Sequence, residues 1–346
     1  MTDATEGLKP DALDRFWKWW ATARDRVAAA IADQSLGSSP IVQEISTAVH
    51  NLHPDFAWEL GPGRSAMHNL TVTPEGNLEL RRLTAQWLAS APPPDTTWEY
   101  YASRQPSAPL GLDIGGTRFS PDEFRVAYSY DDSRERFDVE LYHPLFGKAG
   151  QDVVRHVLFL TLDERLGEDD VERWIGRLDA TASAQPSAVS LIDFTSVIAG
   201  ALEKVTGERF TLGQGQSRDG KPVFVTINMA LKQIDHLDHV FHLAAVMALR
   251  EPDANGLPAS QEGQQLDRAE DSLLAALGAN AVQLGRVTWA GRREIHFFVR
   301  DPASASVAVA AWTEQIRPWS ASHTLAYDPG WSAAKTGIYA ALAPRS

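Results

Sequence analysis

The chain has 346 residues, and its 32 Lys and Arg against 45 Asp and Glu give a formal net charge of −13, which disfavours non-specific nucleic-acid binding. The absence of cysteine excludes a disulfide framework, a thiol nucleophile and a cysteine-ligated zinc site. Hydrophobic residues make up 44% and charged residues 22% of the sequence, as in an ordinary globular protein long enough for two domains.

No targeting or membrane-spanning segment is recognisable in the sequence. No apolar run approaches the roughly 18 residues that a transmembrane helix needs. The N-terminus, MTDATEGLKPD, is acidic and lacks the apolar core of a signal peptide. We therefore expect a cytoplasmic protein that does not bind a membrane.

Residues 1–38 are predicted to form a long N-terminal helix, from Asp11 to Leu36. Its apolar positions recur at helical spacing and are Phe16, Trp20, Val27 and Ile31. Trp17 and Trp19 lie outside this stripe. We expect the helix to pack across both domains, and a dimer contact is the alternative.

Residues 39–182 are predicted to form an N-terminal α+β domain. Its first elements are a helix from Pro40 to Leu52, the strands FAWEL and HNLTV, a helix from Leu78 to Ala89 and the strand TWEYYAS. Four more predicted strands follow, namely GLDIGGTRF, FRVAYSYDD, ERFDVELYH and RHVLFLTLD. A helix from Gly167 to Ala180 precedes the polar linker TASAQPSAVS, which places the domain boundary after residue 182.

Residues 183–346 form the predicted C-terminal domain. Its main elements are the strand FHLAAVMAL, a helix containing Leu266 and Leu273, a hairpin around Ala290 and Gly291, a helix after Asp301, and a last strand from Ser322 to Tyr327. The order β-α-β-β-α-β is that of the ferredoxin-like fold. Because the first domain contains the same α-β-β-α-β order, we expect two ferredoxin-like domains with antiparallel sheets, related by duplication.

The hairpin AVQLGRVTWAGRREIHFFVRD has two faces of different character. A two-residue loop would put Val282, Leu284 and Arg286 opposite Val299, Phe297 and Ile295 on the core face. The other face would carry Val287, Trp289, Arg292, Glu294, His296 and Phe298. A three-residue loop with a bulge at Gly291 is the alternative, because Ala290 is a poor residue for a turn that needs positive φ.

Three segments, GLP, GRVTWAGRREIHFFVRD and YDPGW, together resemble the bacterial family known as domain of unknown function 695. The resemblance covers roughly Phe210 to Trp331. It implies a fold but no activity and no catalytic residues. Members of that family are in turn similar to ribonuclease E inhibitor B proteins, which are acidic binding proteins.

Aromatic and charged residues alternate on the second hairpin face, and this makes it the candidate interaction surface. We assign to that surface Arg286, Trp289, Arg292, Glu294, His296, Phe298, Asp328 and Trp331. Three uses are open: burial against the N-terminal domain, a protein partner, or RNA stacked on the aromatic rings, which the acidity opposes. We predict a non-catalytic protein that binds another protein and does not bind nucleic acid.

The alternative is an enzyme whose site lies between the domains and uses Arg286, Glu294, His296 or Asp328. The sequence indicates no metal site, because His236, His239 and His242 do not share one face of a helix or strand. GQGQSRDG and IGGTRF lack the strand-to-helix context of a phosphate loop, so we predict turns and no cofactor. Catalytic residues and oligomeric state are not predicted.

Overall fold

A computed structural model describes residues 7–107, 111–114, 116–333 and 336. These residues form two compact units. The first unit holds the described residues up to Tyr130 together with Arg136–Lys204. The second unit holds Asp131–Glu135 and the described residues from Val205 onwards.

Helices and strands are mixed in an α+β arrangement, as the sequence predicts. The helices of the described residues are α1 (Pro10–Ala32), α2 (Ile41–His50), α3 (Arg81–Ala89), α4 (Gln151–Leu166), α5 (Glu168–Trp174), α6 (Leu191–Ala201), α7 (Ser260–Leu277) and α8 (Pro302–Gln315). None of these described helices is long and apolar enough to cross a membrane.

The strands of the described residues fall into four sheets. In chain order they are β1 (Ala57–Pro62), β2 (His68–Thr73), β3 (Trp98–Tyr101), β4 (Leu112–Ile114), β5 (Thr117–Phe119), β6 (Arg125–Asp131), β7 (Arg136–Tyr142), β8 (Ile175–Thr181), β9 (Phe210–Gln216), β10 (Pro222–Asn228), β11 (Phe241–Ala248), β12 (Ala281–Trp289), β13 (Arg292–Val299) and β14 (Ala321–Tyr327). The sheets have the orders β1-β2-β3, β4-β5, β6-β7-β8 and β14-β11-β13-β12-β10-β9.

Helix α1 buries its predicted stripe in the core of the first unit, where Phe16, Trp20 and Val27 are fully enclosed. The two tryptophans outside the stripe are partly buried against the same core. The Trp17 ring stacks on Trp87 with centroids 5.0 Å apart, and its Nε1 donates to Ser90 Oγ at 2.9 Å. The first turns of α1 are therefore packed on more than one side within this unit.

The two three-stranded sheets of the first unit share one connection pattern. Strands β2 and β3 pair in parallel and are joined by α3, and β7 and β8 pair in parallel and are joined by α4 and α5. In the second unit the counterparts of β2 and β3 are β13 and β14, which lie on opposite sides of β11. The prediction that the two domains are duplicates with the same strand order is therefore wrong. Strand β11 lies between β13 and β14, whereas no described strand separates β2 from β3.

One predicted strand of the first unit is a helix. The segment RHVLFLTLD lies within α4, where Val157, Leu158, Thr161 and Leu162 are buried at helical spacing. Phe159, which would share a strand face with Val157, is 51% exposed. Short apolar runs do not distinguish a strand from a helix by themselves. The helix predicted from Gly167 is also shorter than expected, because α5 ends at Trp174 and β8 begins at Ile175.

The two compact units do not divide at the linker TASAQPSAVS, where the sequence places the domain boundary. Helix α6 follows that linker, yet it belongs to the first unit. The Phe194 ring on α6 packs against the rings of Phe137 and Tyr128 at centroid distances of 5.7 and 5.4 Å. Val189 within the linker also pairs with Val126 in an antiparallel bridge.

The second unit is built on a six-stranded antiparallel sheet. Ile295, Phe297 and Val299 of β13 are fully buried in one core cluster with α7 and α8. Trp312 of α8 closes this core and donates from Nε1 to the carbonyl of Ala269 on α7 at 2.8 Å. The predicted core face of β13 is therefore confirmed.

A β-bulge in β12 changes the faces predicted for part of that strand. Ala281 and Gln283 pair with Val299 and Phe297, and the register then shifts between Gln283 and Gly285. Leu284 consequently packs with Phe298 on the face away from the helices, and Val282 borders the same cluster. The prediction that Leu284 and Val282 share the core face of Phe297 is wrong, because a single extra residue reverses the alternation.

The hairpin turn is the two-residue loop and not the three-residue alternative with a bulge at Gly291. Trp289 pairs with Arg292, and Ala290 and Gly291 have φ values of 46° and 76°. Gly291 N donates to the carbonyl of Gly256 at 2.9 Å. Contacts from outside the hairpin therefore support a turn whose first residue is unfavourable for positive φ.

Replacing Gly285 by Ala should destabilise the second unit by about 3 kcal/mol, the upper part of the range for overpacked sites. The added Cβ would lie 2.2 Å from the carbonyl oxygen of Thr226, so β10 and β12 would have to separate. Urea unfolding of the variant and the wild type measures the change.

The matched control is Gly263→Ala in α7, where nothing lies within 4 Å of the added Cβ. It should gain up to about 1 kcal/mol from helix propensity. Equal stability of the Gly285 variant and wild type would contradict the close approach of the two strands.

Candidate functional site

The candidate surface lies on the side of the six-stranded sheet opposite α7 and α8. Trp289 of β12 and Arg292, Glu294, His296 and Phe298 of β13 lie on this side, and we call it the Trp289 face. The alternation of β13 places its four residues on this side, as the sequence predicts, and Trp289 pairs with Arg292. The structure divides the face into an internally packed half and a partly exposed end.

The packed half is formed by Phe298 and Trp331. Their rings stack with centroids 4.2 Å apart and planes only 3° from parallel. Both residues are buried with Val225, Ile227 and Leu284 of the same unit. Phe298 and Trp331, which the sequence assigns to the interaction surface, are therefore core residues of a second, smaller hydrophobic cluster.

Asp328 holds the segment that carries Trp331. Its carboxylate accepts hydrogen bonds from Ser332 N at 2.7 Å, Ser332 Oγ at 2.8 Å and Ala333 N at 2.9 Å. Trp331 Nε1 donates to the carbonyl of His239 at 2.8 Å. Asp328 thus bonds local backbone and positions the ring that covers Phe298.

Two histidines occupy the middle of the face. His242 Nε2 and His296 Nδ1 lie 3.1 Å apart, and the two rings are stacked with centroids 5.2 Å apart. Burial, followed by repulsion from His242, lowers the pKa of His296 to about 4. Burial also lowers the pKa of His242. Both imidazoles are therefore neutral at pH 7, so one ring nitrogen donates to the other.

The sequence did not indicate a role for His242. In the segment DHLDHVFH, the spacing of His236, His239 and His242 gives no shared face. The signal that could have identified it is the strand register, because His242 pairs with Phe298 and so lies on the Trp289 face. That register depends on pairing between strands far apart in the chain.

The exposed end of the face is a compact cluster of Trp289, Arg292 and Glu294. Trp289 Nε1 donates to Glu294 Oε1 at 3.0 Å, and Arg292 Nε donates to the same oxygen at 2.6 Å. The Arg292 guanidinium lies 4.4 Å from the centre of the Trp289 ring, within cation–π distance. The Arg292 side chain is 43% exposed. One carboxylate therefore fixes an aromatic ring and a cation beside the hairpin turn.

Arg286 does not belong to this cluster. It lies on the helix side of the sheet, where its Nη1 donates to Asp267 and Glu270 of α7, both at 2.9 Å. Arg286 lies between the bulge and the hairpin turn and pairs with Ile295 as predicted, so it shares the face of the main core. Of the four residues named for an enzyme site, only Glu294 and His296 are neighbours, with Oε2 and Nε2 3.8 Å apart.

The remaining histidines of DHLDHVFH surround the packed half. His236 stacks near Trp331 at a centroid distance of 6.3 Å, and His239 Nδ1 lies 2.8 Å from Asp238 Oδ1. Among the residues that the structure describes, no group of three or more His, Asp or Glu side chains has the geometry to hold a metal ion.

The first unit also contains a cluster of charged side chains. Arg104 bonds Glu59, and its Nη1 lies 3.1 Å from Asp163 Oδ2. Burial raises the pKa of Asp163 to about 6. Arg104 also lines a cavity of about 500 Å³ with Arg64 and Tyr101. The three members of the charged group come from distant parts of the chain, so no local motif marks them.

Acidification should weaken the fold through His296. Its pKa is about 6.5 in an unfolded chain and about 4 in the folded protein. Between these values the unfolded chain binds a proton that the folded chain does not, so stability present above pH 6.5 is lost as the pH falls towards 4. The loss from this group is about 3 kcal/mol.

Urea unfolding at pH 7 and pH 4.5 measures this dependence in the wild type and in His296→Gln. The variant should lose less stability between the two pH values than the wild type. The control is His323→Gln, at an exposed position of β14, which should follow the wild type. An unchanged pH dependence in His296→Gln would contradict burial of a neutral imidazole.

Comparison with protein families agrees with the resemblance found in the sequence. No curated protein matches the chain. The model of a family of unknown function, DUF695, matches residues 215–334, which contain most of the six-stranded sheet, the bulged hairpin and Trp331. The similarity to ribonuclease E inhibitor B proteins stays a prediction. The C-terminal part of this chain, from residue 215 to residue 334, is therefore similar to the family of unknown function DUF695.

Proposed function

We propose that this is a non-catalytic binding protein and that the exposed end of the Trp289 face holds a protein partner. The observation that carries the proposal is the cluster of Trp289, Arg292 and Glu294, fixed by two hydrogen bonds to one carboxylate oxygen. Trp and Arg are enriched among the residues that dominate binding energy at protein interfaces. Side chains already held in place lose less conformational entropy when a partner binds.

The packed half of the face limits where a partner contacts it. Phe298 and Trp331 are already enclosed by the second unit's own side chains. Arg292 and the partly buried Trp289 remain at the other end, beside the turn. The proposed contact is therefore a small site centred on one indole ring and its guanidinium neighbour.

The placement of the rival catalytic residues favours binding over catalysis. Arg286 is paired with Asp267 and Glu270 on the other side of the sheet. Asp328 is occupied by three local donors. Glu294 accepts from Trp289 and Arg292, so its charge is already compensated.

We also infer a ferredoxin-like plait in the second unit. The strand order β14-β11-β13-β12, with α7 and α8 against one face, supports this inference, and β10 and β9 extend the plait at one edge. We also propose a cytoplasmic location and a partner other than nucleic acid, and the net charge of −13 supports the second of these, because it disfavours non-specific contact with phosphates.

The proposal is tested with full-length protein immobilised as bait in an extract of its source cells. Trp289→Ala and Arg292→Ala should each reduce capture of the specific partner at least tenfold, as truncation of a dominant interface residue does. Quantitative mass spectrometry identifies the partner, and calorimetry with the purified partner measures the change in Kd.

The matched control is Val307→Ala on α8, which replaces a side chain that is 71% exposed on the helix side of the sheet. It should capture the partner like wild type. Equal capture by all variants would refute the proposed site, and saturable RNA binding at physiological salt would refute the partner class.

A further inference from the structure

Strand β9 forms one edge of the six-stranded sheet and pairs with β10. Its seven residues, FTLGQGQ, include no charge and no proline. Edge strands that avoid pairing with other chains usually carry a charged residue, a proline or a bulge. Phe210 and Leu212 are also 49% and 69% exposed on this strand. β9 is therefore a long edge without the usual protection against strand addition.

The hydrogen bonds at the two ends of the β9–β10 ladder determine which backbone groups remain outside it. Met229 N donates to Arg209 O at 2.9 Å, and Ser217 N donates to Lys221 O at 2.8 Å. Hydrogen-bonded and non-bonded pairs alternate along an antiparallel ladder. The backbone groups that point away from β10 are those of Phe210, Leu212, Gln214 and Gln216.

We propose that β9 is the dimer interface of this protein and that its partner is β9 of a second copy, paired antiparallel around a two-fold axis at Gly213. In that register Phe210 lies opposite Gln216 of the other copy, and Leu212 lies opposite Gln214. Each outward-pointing backbone group then meets another one, along the whole strand. The interface is self-complementary, as two-fold symmetry requires.

The charges that flank β9 favour a second copy over an unrelated strand. The same register places Glu208 of one copy opposite Arg218 of the other, and symmetry repeats this pair at the other end. Both side chains are exposed. Within the part of the chain that the structure describes, neither has an ion-pair partner. Two complementary pairs therefore bracket an uncharged strand.

The start of β9 is held rigidly by a buried carboxylate. Glu135 accepts from the backbone nitrogens of Thr206 and Gly207, both at 2.9 Å, and from Arg209 Nε at 3.0 Å. Arg209 is thus already paired and does not compete with Arg218 for Glu208. An edge fixed in this way loses little conformational entropy when a second strand pairs with it.

Analytical ultracentrifugation of the full-length protein at micromolar concentrations tests the interface, and it should show a dimer. Gln214→Pro should be monomeric, because the lost N–H points away from β10 and the proline blocks the added ladder. Gln214→Ala is the control and should remain dimeric. Circular dichroism of both variants checks that they are folded. A monomeric wild type, or a folded Gln214→Pro variant that still dimerises, would overturn the proposal.

Charge reversal tests the register and does not depend on the proline variant. Glu208→Arg and Arg218→Glu should each weaken the dimer roughly tenfold, because each creates two like-charged contacts. A mixture of the two single variants should form a heterodimer with near wild-type affinity, since every opposed pair is then of opposite sign. Failure of the mixture to associate better than either variant alone would overturn the two-fold pairing. The inference is independent of the proposed partner at Trp289.

Discussion

The stack of Trp331 on Phe298 is the contact on which the arrangement of the second unit depends. Without it, the sheet face opposite α7 and α8 would expose Phe298 together with Leu284 and Ile227. Burying large aromatic rings is strongly favourable, and a parallel stack fixes their relative orientation as well. The three hydrogen bonds at Asp328 hold the chain in the path that allows this stack.

That contact also separates residues that appear equivalent in the sequence. Along β13 the same face changes from the paired Glu294 to the neutral His296 and then to the fully buried Phe298. Each step away from the turn brings more apolar cover from Trp331 and its neighbours. The exposed end is polar and the other end is hydrophobic because the segment after β14 places Trp331 over Phe298 and not over Glu294.

The edge strand follows from a different constraint. Helices α7 and α8 cover the core formed by β11, β13 and β14 with part of β12. β10 and β9 extend the sheet beyond that core, so Phe210 and Leu212 on β9 remain exposed. A backbone edge and an apolar strip are therefore presented together, which is the combination that strand addition uses.

Several features of this protein could be predicted from the amino-acid sequence because they depend on local periodicity. The alternation of β13 assigned Phe297 to the core and Glu294 to the opposite face, and this assignment holds for either length of the turn. The helical spacing of Leu266 and Leu273 likewise predicted α7. Each of these signals is contained within a few residues of one element.

The tertiary structure decided the features that depend on distant residues. The bulge before Gly285 moved Leu284 to the other face, because one additional residue reverses all positions before it. Only strand pairing brought His242 beside His296, and only the path after β14 made Trp331 a core residue. The direct pairing of β2 with β3 was equally hidden, since element order does not specify which strands are neighbours. Local sequence determined the faces of β13 and α7, whereas long-range pairing and burial determined the face of Leu284 and how each face is covered.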